Sequence, residues 1–283
     1  MDWTQLADFR SLSLIELILR LWPLCLAATA AGFVDSIGGG GGLITVPTLL
    51  NIGVPAPLLL GTNKCLSTIG SLPALIRYAR AGLIPPLPRS ELFLFALATA
   101  LFSAWGASVS QLPFILTRLP ILVPILLSMV MVIMLRRWFW VEPRRRRQQT
   151  LTPQDLDSSV ELHKKMKKPL GRALLAAVGF YDGLFGPGTG SFFLNVFESM
   201  GLKTITANAI TKIFNFASNI GALLYLSSQG RWLPLLGVAG GACYLVGNYV
   251  GAGLVLKRGQ NVIRVIVLLA TGALLLKHIS RYL

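Results

Sequence analysis

The amino-acid sequence predicts an all-α polytopic membrane protein with about seven or eight transmembrane helices, further broken or re-entrant segments, and two homologous repeats. Three observations predict this class: a strong apolar bias, several apolar segments of transmembrane length, and an internal duplication. Of the 283 residues, 54% are hydrophobic and only 13% are charged, and the mean hydropathy is +0.66. Water-soluble domains rarely combine these values, because about a quarter of their residues are charged.

Four apolar segments each approach the roughly 20 residues that a helix needs to cross about 30 Å of hydrocarbon. They cover residues 92–109, 119–135, 233–256 and 262–276. We expect each of them to be a membrane-spanning helix, and the interrupted segments described below to supply the remaining crossings.

A strongly basic connection separates the two halves of the chain. Eleven of the 26 lysine and arginine residues lie between residues 136 and 172. Because loops rich in Lys and Arg stay on the cytoplasmic side, this connection is predicted to be cytoplasmic. It divides the chain into an N-terminal flank (1–20), a first transmembrane repeat (21–140), a basic cytoplasmic linker (141–168) and a second transmembrane repeat (169–283).

The same basic run could instead bind lipid headgroups or nucleic acid. Its core, "EPRRRRQQT", contains no aromatic residue that could stack on a base. The sequence therefore predicts no nucleic-acid partner, and membrane lipid remains the expected surrounding.

Little in the sequence suggests catalysis or metal binding. The three cysteines lie in apolar segments without a CxxC spacing, and the two histidines, His163 and His278, are far apart. HExxH, GxSxG and Walker A sequences are absent. We therefore predict that the protein is not an enzyme and has neither a metal site nor a cofactor.

The chain contains an internal duplication. The stretch "AAGFVDSIGGGGG" at 30–42 matches "AVGFYDGLFGPGTG" at 177–190, which aligns Asp35 with Asp182 at an interval of 147 residues. One inserted residue then makes the interval 148. At that interval Gly38, Gly40, Gly42, Gly53, Lys64, Ala74 and Gly82 fall on Gly186, Gly188, Gly190, Gly201, Lys212, Ala222 and Gly230.

Each copy interrupts its first apolar element with a glycine-rich run. The first copy has five glycines at 38–42, and the second has "GPGTG", where Pro187 and three glycines disfavour a continuous helix. Irregular backbone within a membrane is tolerated only where it lines a cavity or is buried in protein. Matched breaks in two halves therefore indicate the central site of a transporter. Tight helix packing through small residues is the alternative.

A polar stripe follows each break. In the second copy it consists of residues spaced four, four, three and four apart, on one helical face: Thr204, Asn208, Lys212, Asn215 and Asn219. In the first copy the same register gives Lys64, Ser67 and Ser71, with Thr62 and Asn63 alongside. Because a lysine at the bilayer centre costs about 2.5–3.5 kcal/mol, we expect both stripes to face a shared cavity. Snorkelling to the membrane interface is the alternative, more so for Lys64 near its helix start.

These groups together favour a small anion as the ligand. Ammonium groups, amide and hydroxyl donors and the free N–H groups of broken helices all attract negative charge. The candidate substrate-binding residues are Gly38, Gly39, Gly40, Gly41, Gly42, Asn63, Lys64, Ser67, Gly186, Gly188, Thr189, Gly190, Asn208, Lys212, Asn215 and Asn219.

Asp35 and Asp182 have three interpretations that the sequence leaves open. They could hold Lys64 and Lys212 while the site is empty, carry protons that are coupled to transport, or only brace the glycine breaks.

The paired motifs also resemble a known family. "GFVDSIGGGGGLITVP" with "LGTNK", and "GFYDGLFGPGTGSF" with "ITKIFNFASNIGALL", are similar to those of the TauE/SafE family of membrane permeases, and most of all to its YfcA-like branch. The resemblance extends from about residue 20 to the end. It implies a bacterial inner-membrane carrier in a family associated with export of sulfite and movement of other small sulfur-containing anions and organic acids. Pro187 and Thr189 depart from the glycine run of the first copy, so the two halves need not bind identically.

A secondary carrier for small anions is thus the function that the sequence favours, with proton coupling as an open question. A passive anion channel would share most of these features, and saturation and coupling of the flux would separate the two. A membrane-embedded enzyme or assembly factor is the third alternative, which would predict a catalytic cluster or a large polar domain. A homo-oligomer is compatible with each of these functions.

Overall fold

The computed structural model describes residues 14–118, 128, 132 and 155–258. Across these residues the chain is helical, with short connections and no β-strand. The helices of the first half are α1 (Leu14–Gly38), α2 (Gly42–Asn51), α3 (Ala56–Arg80) and α4 (Arg89–Ser110). Those that follow are α5 (Asp155–Lys167), α6 (Pro169–Leu184), α7 (Thr189–Ser199), α8 (Thr204–Ser228) and α9 (Pro234–Arg258).

Four segments of the described residues are long and apolar enough to cross a membrane: 21–38 in α1, all of α4, all of α8 and 234–257 in α9. The predicted span 92–109 falls within α4, and the predicted span 233–256 matches α9 from residue 234 on. The predicted span 262–276, and 119–135 apart from residues 128 and 132, lie outside the described residues. The polytopic all-helical class is therefore confirmed, whereas the expected number of crossings stays a prediction.

Helix bounds and turn glycines recur at the interval found in the sequence. Helices α3 and α8 both have 25 residues, and their first residues lie 148 positions apart. The left-handed backbone conformation recurs at the same interval in three glycine pairs: Gly40 with Gly188, Gly53 with Gly201, and Gly82 with Gly230. The connections on either side of α3 and α8 are thus built alike.

Helices α3 and α8 run in opposite directions. The start of α3 lies beside the connection that follows α8, because the Leu233 N–H donates a hydrogen bond of 2.9 Å to Thr62 Oγ1. At the other end, Leu87 and Leu92 from the connection after α3 and the start of α4 pack with Ala207 near the start of α8. The corresponding helices of the two halves are therefore inverted relative to each other.

The fourth helix of each half packs on the other half. Helix α9 packs along α1 and α3, while α4 packs along α6 and α8. Helices α1 and α9 are parallel, since Thr29 Oγ1 donates to the Cys243 carbonyl at 3.2 Å and Ser36 lies level with Gly251. The apolar core of each half therefore includes side chains from one helix of the other half.

One end of the bundle, here called the basic end, is organised by α5. Glu91 at the start of α4 accepts a hydrogen bond of 2.8 Å from Lys167 Nζ and contacts His163. Lys165 Nζ donates to the Met200 carbonyl just after α7, at 3.2 Å. The starts of α4 and α6 and the end of α7 therefore lie together at the basic end.

Helix α5 lies within the segment predicted to be a linker, at 141–168. Its Leu162 and Met166 are fully buried in the apolar cluster of α7 and α8. This part of the linker packs against the second half instead of passing free of the bundle.

Two helical hairpins enter the bundle from opposite ends. The α6–α7 hairpin begins and ends at the basic end, and its helices of 16 and 11 residues are about 24 Å and 17 Å long. These lengths are shorter than a hydrocarbon core of about 30 Å. The α1–α2 hairpin begins and ends at the other end, where α3 starts. The breaks predicted from the sequence, at 38–42 and 186–190, lie at the turns of these two hairpins, and re-entrant insertion in the membrane stays a prediction.

Candidate functional site

The tips of the two hairpins touch inside the bundle. Ser191 Oγ donates a hydrogen bond of 3.1 Å to the Gly38 carbonyl. A methyl group at position 190 would lie only 2.6 Å from the Gly39 Cα atom, and Gly39 itself has a φ of 77°. Glycine is needed at both positions, since only a backbone without Cβ allows this approach and this conformation. The glycine runs are therefore the contact between the halves.

Two buried ion pairs connect the halves reciprocally. Lys64 Nζ lies 2.6 Å from Asp182 Oδ1, and Lys212 Nζ lies 3.2 Å from Asp35 Oδ2. In each pair the lysine comes from one half and the aspartate from the other. Both lysines are 1% exposed, so each charge depends on its partner, because an unpaired buried charge is strongly destabilising.

Further hydrogen bonds surround the Lys212–Asp35 pair on several sides. Lys212 Nζ also donates to the Asp35 carbonyl, and Asn248 Nδ2 donates to Asp35 Oδ2 at 3.3 Å and to the Gly32 carbonyl at 3.2 Å. The next carbonyl, of Ser36, accepts from Asn208 Nδ2 at 3.0 Å and from Tyr78 Oη at 2.6 Å. The carboxyl end of α1 is thus held by α3, α8 and α9.

The Lys64–Asp182 pair has fewer partners. Lys64 Nζ donates to Asn219 Oδ1 at 3.1 Å, and Asn219 Nδ2 donates to the Asn215 carbonyl at 2.7 Å. Asp182 Oδ2 is buried without a hydrogen-bond partner among the described residues. The two ion pairs therefore correspond in sequence but differ in the number of groups that hold the carboxylate.

A small cavity lies between the hairpin tips and the polar stripes. Its volume is about 20 Å³, which accommodates about one water molecule. It is lined by Asp35, Gly40, Gly41, Gly42, Asn63, Lys64, Ser67, Asp182, Gly186, Gly188, Thr189, Gly190, Asn215, Asn219 and Tyr244.

The cavity is bordered by the Lys64 ammonium, the carboxylates of Asp35 and Asp182, and the beginnings of two helices. Helices α2 and α7 both begin at it, so their positive dipole ends point towards the same space as the Lys64 ammonium. Thr45 Oγ1 donates to Asn63 Oδ1 at 2.5 Å, which leaves the Asn63 amide N–H₂ as a donor. An anion is the ligand that this set of groups would stabilise.

Twelve of the sixteen candidate residues from the sequence line this cavity, and Asp35 and Asp182 border it as well. Gly38 and Gly39 instead form the contact between the hairpin tips. Asn208 and Lys212 lie at the carboxyl end of α1 and are not in the lining. The expectation that both stripes face one cavity along their whole length is thus corrected: α8 lines the cavity with Asn215 and Asn219 only. Lys212 is drawn away because a carboxylate and the negative dipole end of α1 attract its charge.

Two residues of the site were not identified from the sequence. Tyr244 lines the cavity and packs on Gly70, and Asn248 bonds Asp35 while accepting a hydrogen bond of 2.8 Å from the Ala74 N–H. Both belong to α9, which the sequence predicts only as an apolar membrane span. An asparagine within such a span was the available signal, because polar residues there face the protein interior.

Comparisons with known proteins agree on one family. The family model described as "Sulfite exporter TauE/SafE" matches residues 24–278. The chain is 34% identical over 259 residues to the probable membrane transporter protein ORF9 of a Sinorhizobium species, covering 91% of each chain. It is 32% identical over 271 residues to the probable membrane transporter protein YfcA of Escherichia coli K12, covering 94% of this chain and 91% of the relative. A probable membrane transporter protein of Haemophilus influenzae is 29% identical over 240 residues, or 84% of this chain and 86% of the relative.

No solved structure matches the chain.

Proposed function

The chain belongs to the sulfite exporter TauE/SafE family and is a membrane transporter, and we propose that it is a secondary carrier for small oxyanions such as sulfite. Related sulfur oxyanions, organosulfur acids and other small organic acids are the wider substrate class. The family description supplies sulfite as the first candidate.

The observation that carries this proposal is the convergence of positive groups on one cavity. The Lys64 ammonium and the amino-terminal ends of α2 and α7 meet there from three different helices. Helix termini of broken segments bind anionic substrates in other transporters with inverted repeats. The amide groups of Asn63, Asn215 and Asn219 add donors that suit oxygen atoms.

The size of the cavity favours a carrier over a passive channel. A volume of about 20 Å³ holds about one water molecule, so an oxyanion with several heavy atoms enters only when the surrounding helices separate. A transport cycle with alternate opening supplies that separation, and the inverted hairpins give it two entrances.

We further propose that the described helices belong to two inverted repeats, at 21–140 and 169–283, in the bacterial inner membrane. Segments 119–135 and 262–276 would complete about seven or eight spans. The basic end would face the cytoplasm together with linker 141–168, because basic residues concentrate there. The described basic residues near this end include Arg77, Arg80, Arg89, Lys164, Lys165, Lys167, Lys168, Arg172, Lys203 and Lys257.

Transport in liposomes tests the function directly. Purified protein should move sulfite with a saturable rate, and Lys64→Ala should abolish the flux per folded molecule. Lys257→Ala is the matched control, because Lys257 is exposed at the end of α9, and it should transport normally. Sulfite flux that rises linearly with concentration would favour the channel, and normal transport by Lys64→Ala would exclude the proposed site.

A further inference from the structure

We propose that Asp182, and not its counterpart Asp35, carries the coupling proton, and that the site moves one singly charged oxyanion together with one proton. This inference rests on the carrier function proposed above. It assigns different roles to two ion pairs that the duplication makes equivalent in sequence.

The two lysines differ in whether an entering anion can reach them. Lys64 lines the cavity, whereas Lys212 does not. An anion in the cavity therefore competes with Asp182 for the Lys64 ammonium, at a site where the two are now 2.6 Å apart. The Lys212–Asp35 pair is not open to this competition, although Asp35 itself borders the cavity.

The carboxylates of Asp182 and Asp35 differ in whether a proton can bind them without cost. Asp182 Oδ2 has no hydrogen-bond donor among the described residues, so a proton can join that oxygen without displacing an existing hydrogen bond. Asp35 Oδ2 already accepts from Lys212 Nζ at 3.2 Å and from Asn248 Nδ2 at 3.3 Å. Protonation of Asp35 at either oxygen would also remove the negative charge that compensates Lys212, and Lys212 is not in the cavity lining where an anion could replace that charge.

The net charge of the site is the same when it is empty and when it holds a monoanion and a proton. The empty site is neutral, because the Lys64 ammonium and the Asp182 carboxylate compensate each other. When a monoanion binds Lys64 and a proton from solution forms an O–H bond at Asp182 Oδ2, the site is neutral again. No bond in the substrate breaks, and release on the other side reverses both steps. A dianion would leave one uncompensated negative charge inside the protein, which is strongly unfavourable.

The other ionisable groups around Asp182 leave this balance unchanged. Across the cavity lie Asp35 of α1, which is paired with Lys212 of α8, and Tyr244 of α9. Tyr181 precedes Asp182 on α6, and its Oη donates to the Pro187 carbonyl at 2.8 Å. The cavity linings contributed by α2, α7 and α8 are uncharged glycine, threonine and asparagine residues.

The test compares Asp182→Asn with Asp35→Asn, which is the same substitution at the equivalent position. Proteoliposomes are assayed with radiolabelled sulfite in mildly acidic buffer, where hydrogensulfite is the main species. One assay measures sulfite–sulfite exchange, and the other measures net uptake driven by a pH gradient. Thermal unfolding and size-exclusion profiles give the amount of folded protein.

Asp182→Asn should reduce net uptake at least about a hundredfold more than it reduces exchange, because its loaded site is still neutral whereas its empty form buries an unpaired ammonium. Asp35→Asn should keep the wild-type ratio of net uptake to exchange, whatever its stability. Normal proton-driven uptake by Asp182→Asn, or an equal loss of both activities in the two variants, would overturn the assignment.

A measurement on the wild type keeps the proposal testable if Asp182→Asn does not fold. Net sulfite uptake should be unaffected by a membrane potential imposed with valinomycin and potassium, because no net charge moves. Uptake that follows the imposed potential would overturn the one-to-one coupling. Absence of any flux through the wild type would instead contradict the carrier function itself, and the coupling with it.

Discussion

Lys64 of the first half and Asp182 of the second half form an ion pair of 2.6 Å with both side chains almost fully buried. The pair lines the cavity and at the same time joins two segments that are 118 residues apart in the chain. Its two roles, in folding and in transport, can be separated by mutation.

Removing one member of this pair should destabilise the protein more than removing both charges. Lys64→Met leaves the Asp182 carboxylate buried alone, which costs about 3–5 kcal/mol. The double variant Lys64→Met with Asp182→Asn has no unpaired charge, and most of the stability should return without transport. Thermal unfolding in detergent and sulfite flux in liposomes measure the two effects. Equal destabilisation by the single and double variants would show that the pair contributes little to folding.

The contact between the hairpin tips predicts that neighbouring glycines differ sharply in tolerance. Gly190→Ala places a methyl group 2.6 Å from the Gly39 Cα atom, so the tips must separate and transport should fall severely. Gly38→Ala is the matched control, because its nearest neighbour would be Leu194 Cδ2 at an ordinary 3.5 Å. Flux per folded molecule measures both. Similar activity of the two variants would argue against a close contact of the tips.

Asn248 should stabilise the fold through Asp35. Asn248→Leu removes a donor from a buried carboxylate and leaves the Ala74 N–H without its acceptor, which should cost about 1–3 kcal/mol. Val246→Ala lies on the same helix with its side chain about half exposed and should change the unfolding temperature little. An unfolding temperature of Asn248→Leu equal to that of the wild type would contradict the network.

A ligand that binds the cavity should raise the unfolding temperature of the wild type and not that of Lys64→Ala. An anion present at 100 times its dissociation constant stabilises the folded state by about 2.7 kcal/mol. A thermal-shift screen of sulfite, sulfate, thiosulfate and small organic acids therefore ranks the substrates. Equal shifts in the two proteins would place the binding elsewhere.

The orientation in the membrane can be measured by cysteine labelling. After replacement of Cys25, Cys65 and Cys243, a cysteine at Lys164 should react with an impermeant maleimide only in inside-out vesicles. A cysteine at Arg231, which lies at the opposite end of the bundle beside the start of α3, should react in intact cells. The reverse pattern would place the basic end outside the cytoplasm.

The local features of this fold follow from the sequence, and the long-range ones do not. Five glycines and the "GPGTG" run predicted both breaks, because glycine and proline disfavour a continuous helix wherever they occur. The stripe of α8 was predicted from its spacing, but the turn of Lys212 away from the cavity depends on Asp35 of α1, which lies 177 residues earlier.

The inverted arrangement was likewise beyond the pattern alone. It depends on which helix ends meet, such as Thr62 with Leu233, and residue periodicity carries no such information. Asn248 was missed because an isolated amide in an apolar span has no pattern of its own. The role of Asn248 depends on the Asp35 carboxylate, to which it donates a hydrogen bond.

The reciprocal exchange of charges between the halves also has a consequence for biosynthesis. Asp35 and Lys64 leave the ribosome well before Asp182 and Lys212, so during translation each of them has to wait for a partner that has not yet been made. Helix α3, which bears Lys64, is also absent from the described helices that are apolar enough to span a membrane by themselves. We therefore expect the nascent first half to stay loosely inserted, in contact with water or with the insertion machinery. We expect Asp35 and Lys64 to reach their final positions only after the second half has been synthesised and supplies Lys212 and Asp182 as their partners.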